Sequence, residues 1–173
     1  MTAPPGGPQG STSDEPTLPA RVQRLLSHGD LARVDATPVD VAQIWRKALE
    51  NAHDAELPDI SLEGAIQSAY TAGFNAALCL LLAYGLKTRS GRGHHERTFS
   101  VAKELGGARL KDLVAESSEI RGLRAGSVYD PVLADEEDRA LAIEWMRKTL
   151  PLIREALVEA DQALAPRLPN YKP

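Results

Sequence analysis

The chain has 173 residues, 43% of them hydrophobic, 25% charged and only 5% aromatic, with a net charge of −4. That length allows one domain with a sizeable core, the wealth of Ala and Leu favours helices, and the acidic balance excludes a wholly basic nucleic-acid binder while leaving room for a local basic site. Cys79 is the only cysteine, so neither an internal disulfide nor a cysteine-based zinc cage can form within one chain.

Residues 1–18 are rich in Pro, Gly, Ser and Thr, the composition of a disordered leader. The start, MTAPPGGPQGSTSDEP, has neither the basic start nor the apolar core of a secretory signal. The longest apolar run, AALCLLLAYGL from Ala76, falls short of the roughly 20 residues that span a bilayer. The expectation is a cytoplasmic protein with no membrane partner. Residues 19–35 read as a short helix and linker, with Val22, Leu25 and Leu26 on one side and Gly29 as the stop.

The bundle proper is expected over 36–165, with a tail at 166–173. Thr37-Pro38 is a good helix start, since threonine caps free backbone donors and proline at the first helical position loses nothing. Val41, Ile44, Trp45 and Ala48 then recur at spacings of three and four, until ELPDIS breaks the helix. Asp59 or Ser61 opens a longer helix ending at Gly85. Tyr70, Phe74, Ala77, Leu81 and Tyr84 form one line on it, beside a line of Ile66, Ala69, Gly73 and Ala76. A helix apolar nearly all round is usually central, and its small residues let neighbours approach closely. Cys79 on it reads as core filler.

KTRSGRGHHERTF is a polar loop entering a helix that stops at Gly106-Gly107, and a further helix is expected from about Arg109 to Val128. Asp135, with Asp138 three positions on, caps the last long helix, which directs Leu141, Trp145, Thr149 and Leu150 inward and should kink at Pro151. His28 and His53 read as surface groups, and Glu136, Glu137 and Asp138 suit a helix N-terminus. No segment alternates with period two. The expected fold is all-α, an up-and-down bundle of four or five helices.

One feature breaks the pattern. Positions eleven apart on a helix point in nearly the same direction, so Leu110 predicts Arg121 and Leu113 predicts Arg124. A permanently charged group cannot be buried unpaired without large cost. The arginines either snorkel into water, pair with Glu116, Glu119 or Asp130, or line a groove for phosphate. Gly122 and Gly126 beside them suggest close approach of a backbone, a second subunit or a ligand. From Lys87 to Arg124 there are nine Lys or Arg against five acids; sharing one surface, these would attract a polyanion in a salt-sensitive way. A solvated face explains the same count. Gly91-Arg92-Gly93 could cradle a phosphate at a helix start.

The order of AYTAGFNAALCLLLAYGL, a GRGHHE turn, a helix closing on IRGLRAGSVYDP and a final helix opening from DEEDRALA resembles the small stand-alone bacterial HEPN domains, over about 60–160. The resemblance implies a helical bundle, usually a two-fold homodimer, whose shared cleft in active members is a metal-independent ribonuclease of toxin–antitoxin or defence systems. The family motif is an arginine with a polar residue after it and a histidine four to six positions on. Arg124 fits the arginine, but Ala125 takes the polar position and Tyr129 the histidine's. Tyrosine titrates near pH 10, so it can hydrogen-bond or stack but is a poor proton shuttle at pH 7.

His94 and His95 are candidates for the missing imidazole. The resemblance thus points to Arg124 and Tyr129 as the catalytic pair, and to Arg121, Arg124, His94, His95 and Arg92 as the binders of RNA or a nucleotide. No cofactor and no metal ion are expected; an antitoxin or a small nucleotidyltransferase is a candidate partner. The rival expectation is a non-enzymatic module whose arginines recognise an acidic partner protein, and a third is that Arg121 and Arg124 only close the homodimer.

Overall fold

The structure, a computed structural model, describes residues 17–129 and 134–173, the side chains of 124–129 excepted. The leader at 1–16 therefore lies outside the described residues. The rest is mostly helical, with α1 at Ala20–Ser27, α2 at Pro38–Ala55, α3 at Leu62–Ala83, α4 at His94–Gly106, α5 at Leu113–Tyr129 and α6 at Glu136–Ala160. The all-α expectation holds, with one addition. A two-stranded antiparallel ribbon joins β1 (Leu31–Arg33) to β2 (Leu86–Thr88), pairing Leu31 with Thr88 and Arg33 with Leu86. Three residues are too few to show alternation in sequence.

Local chemistry starts the helices. Thr37 accepts from the Asp40 amide while the Asp40 carboxylate accepts from the Thr37 amide, a reciprocal capping box with Pro38 in the first turn. Asp135 and Asp138 form the same device on α6, which runs from Glu136 to Ala160 through Pro151. Ser61 caps α3.

α3 is the axis of the bundle, packing mainly on α2 and α6 and also on α4 and α5. Ala65, Ala69, Ala72, Ala76 and Ala77 on it are fully buried, and small residues allow such close approach on several sides. By length and composition α3 could cross a membrane, but 61% of its most apolar window is buried inside the protein. Cys79 lies in this core with its thiol against the Val41 carbonyl; burial pushes that thiol far above its ordinary range.

Three expectations need correction. Leu141, expected inward, is 38% exposed. Leu110 belongs to a separate 3-10 turn, Gly107–Leu110, and α5 begins only at Leu113, so the helical phase from Leu110 to Arg121 is broken. At Gly122 an added Cβ would meet nothing within 4 Å among the described residues, so the close backbone approach expected there is not made by the described part of the chain. The C-terminal end is docked: Trp45 Nε1 donates to the Pro169 carbonyl at 3.0 Å, Arg154 Nε to the Leu168 carbonyl at 2.7 Å, and the Tyr171 hydroxyl to Glu56.

Candidate functional site

The ribbon fixes where α4 starts. Thr98, fully buried, donates its one hydroxyl proton to the His94 carbonyl at 2.9 Å, so the 3.0 Å contact with Thr88 must be donated by Thr88. That pair ties β2 to the first turn of α4. The loop between them passes Gly91 and Gly93 at φ 139° and 78°, where a side chain would strain the backbone. Gly93 is also the residue before α4, so the helix opens with no side-chain cap.

Beyond Gly93 lies an open hollow of about 270 Å³, lined by Tyr70, Gly93, His94, His95 and Arg121. α3 supplies the tyrosine, α4 both histidines and α5 the arginine. His95 lies flat on Phe74, with ring centres 4.0 Å apart and 15° between planes, and its Nδ1 is 3.3 Å from the Tyr70 hydroxyl. His94 stands nearly perpendicular to His95 at 4.3 Å. Its Nδ1 is 3.1 Å from the Gly91 carbonyl. A carbonyl only accepts, so Nδ1 carries a proton and, in the neutral ring, Nε2 carries the lone pair.

Arg121 is half exposed and, among the described residues, pairs with Glu96, 3.9 Å from Nη1 and itself 59% exposed. An exposed pair at that distance contributes roughly 0–1 kcal/mol, so an incoming anion displaces it at little cost. Sequence reasoning offered Glu116, Glu119 or Asp130 as the answer to this charge. Glu116 pairs with Lys148, and Asp130 lies outside the described residues.

His94, His95 and Arg121 thus share one hollow. Arg92 is exposed on the preceding loop and is not part of the lining. The side chains of Arg124 and Tyr129 lie outside the described residues, although α5 carries both positions. Tyr70 and Phe74 were missed as site residues because they read as core; the available signal was the tyrosine hydroxyl, which needs a polar partner when its ring is buried.

Basic residues counted along the chain do not form one bare patch. Arg97 pairs with Asp30 at 3.4 Å, and Arg109 with Glu155 and Glu159, acids that lie outside the counted stretch. Among the described residues, no group of three or more His, Cys, Asp or Glu side chains is arranged to hold a metal ion. Comparison of the chain with protein-family models, characterised proteins and solved structures finds no match.

Proposed function

We propose that the protein is a HEPN-like binder of RNA or of a nucleotide, a degenerate relative of metal-independent ribonucleases that acts as a homodimer in a toxin–antitoxin or defence setting. The observation that carries this reading is the meeting of two imidazoles and a weakly engaged guanidinium around one open hollow. Arg121 supplies a fixed positive charge and a fork of donors suited to phosphate. The start of α4, which has no side-chain cap, adds the partial positive charge of a helix N-terminus on the same side. The half-buried imidazole of His94, on the lining of the hollow, offers a ring for a base to stack on.

In this reading His94 Nε2 takes the proton of a ribose 2′-hydroxyl as its oxygen attacks the adjacent phosphorus, the 5′-oxygen leaves with a proton from solvent, and Arg121 with Arg124 answers the charge on the phosphoryl oxygens. Binding needs only the cations; cleavage needs His94 as well. The test is fluorescently labelled single-stranded RNA at low salt, with wild-type protein and with Arg121→Ala, Arg124→Ala and His94→Ala. Binding weakened by either arginine change supports the reading, and cleavage lost in His94→Ala assigns the base. No binding and no cleavage by wild-type protein rejects it.

A further inference from the structure

On the other side of α5, its seam with α6 holds a second recess, of about 150 Å³, lined by Glu116, Glu119, Ile120, Leu141, Glu144, Trp145 and Lys148. That is well below the roughly 300–1,000 Å³ of small-molecule sites, and is the scale of one side chain. Its walls are the apolar faces of Ile120, Leu141 and Trp145. Leu141, 38% exposed, is one of the few large hydrophobic residues left open to water. Three carboxylates and one ammonium leave two negative charges around it, and the ammonium of Lys148 is already engaged by Glu116. A cation on an apolar stem complements both features.

The Lys148–Glu116 bridge bounds the recess on one side. Past it, a hollow of only about 30 Å³ lies between Asp112, Leu113, Thr149 and Leu152, room for about one water molecule. The pairing of Glu119 and Ile120 with Leu141, then of Asp112 and Leu113 with Leu152, shows that α5 and α6 run antiparallel. Trp145 in the wall, 4% exposed, carries the one buried side-chain polar atom without a partner among the described residues, its indole N–H.

We propose that the α5–α6 recess is a docking site for a partner protein, which places the side chain of one arginine or lysine between Glu119 and Glu144 against the apolar wall formed by Ile120, Leu141 and Trp145. This surface is separate from the histidine-lined hollow and stands whether or not that hollow binds RNA.

The test uses the full chain labelled with ¹⁵N, titrated with a capped Ser-Leu-Arg-Leu-Ser peptide and with a twin carrying uncharged citrulline for arginine. The Trp145 indole resonance should shift and saturate with the arginine peptide, while that of Trp45, held by Pro169, stays still. Affinity should fall at least tenfold for the citrulline twin and for the Glu119→Gln/Glu144→Gln double variant, and be unchanged in Arg121→Ala. Both glutamates are exposed, and a thermal melt of the double variant checks that it folds. A still Trp145 resonance, equal binding of the twin or equal binding by the double variant overturns the proposal. So does light scattering that shows a dimer which the double variant dissolves, because the recess would then hold a second copy of the chain.

Discussion

Gly73 on α3 lies against the indole of Trp145 on α6 so closely that a Cβ there would stand 2.2 Å from Cη2 and 2.8 Å from Cζ3. Alanine favours a helix over glycine by about 1 kcal/mol, but overpacking of a tight core costs about 1–3 kcal/mol or more. The indole is hemmed in by Tyr70 and Phe99, so the clash wins. Gly73→Ala should lower stability by about 2 kcal/mol net and the melting temperature by about 4–8 °C, read by calorimetry. Adding Trp145→Phe should recover part of the loss; an unchanged melting temperature in Gly73→Ala alone would show that the ring moves aside freely.

Tyr171 and Arg147 both donate to the Glu56 carboxylate, the latter at 2.6 Å. Burial raises the Glu56 carboxyl, but the hydrogen bonds from Arg147 and Tyr171 outweigh it and hold the group below its ordinary value. A depressed carboxyl adds stability that is full above its unfolded value, about 4.3, and lost as pH falls through the folded one. The Tyr171 hydroxyl is pushed up to about 12, by burial first and then by Glu56. Its share is full below about pH 10 and lost as pH rises through 12. Amide exchange at 164–171 should therefore be slow, after correction for intrinsic rates, from about pH 5 to 10, and quicken below pH 4. Tyr171→Phe should cost about 1.5 kcal/mol at pH 7.

Thr98→Val removes the tie between β2 and the start of α4 with almost no change of shape. The Thr88 hydroxyl loses its acceptor and the His94 carbonyl loses one donor, a cost of about 1–2 kcal/mol. Urea unfolding should show a lower midpoint with an unchanged slope. The first turn of α4 should also loosen, seen as weaker RNA binding out of proportion to the lost stability.

If single-stranded RNA occupies the hollow, its binding constant should fall with salt. Arg121→Ala should reduce the log–log slope by about 0.7, one phosphate contact. Arg92→Ala, on the exposed loop outside the lining, should reduce it less. Equal slopes for all three proteins would place the RNA elsewhere.

What could be read in sequence was what sequence neighbours decide. The caps at Thr37 and Asp135 are made by residues two or three positions away, and the central place of α3 follows from apolar and small residues all round it. Contacts made between distant segments could not be read. Glu96 answers Arg121 from another helix, and Asp30, Glu155 and Glu159 reach into the basic stretch from outside it. The ribbon is too short to carry a pattern, and its meaning lies in the tie it makes to α4. Leu110 misled because the glycines before it break the helix, so a phase counted through it had no physical basis.

Glu119, Ile120 and Arg121 are consecutive, and consecutive positions on a helix diverge by about 100°; α5 thus turns its acidic and apolar flank to the seam and its arginine to the histidines. A single rod serves as partition between two chambers of opposite character. Were an occupant of one to shift the rod and so alter the other, thermodynamic reciprocity would make that cross-talk equal in both directions.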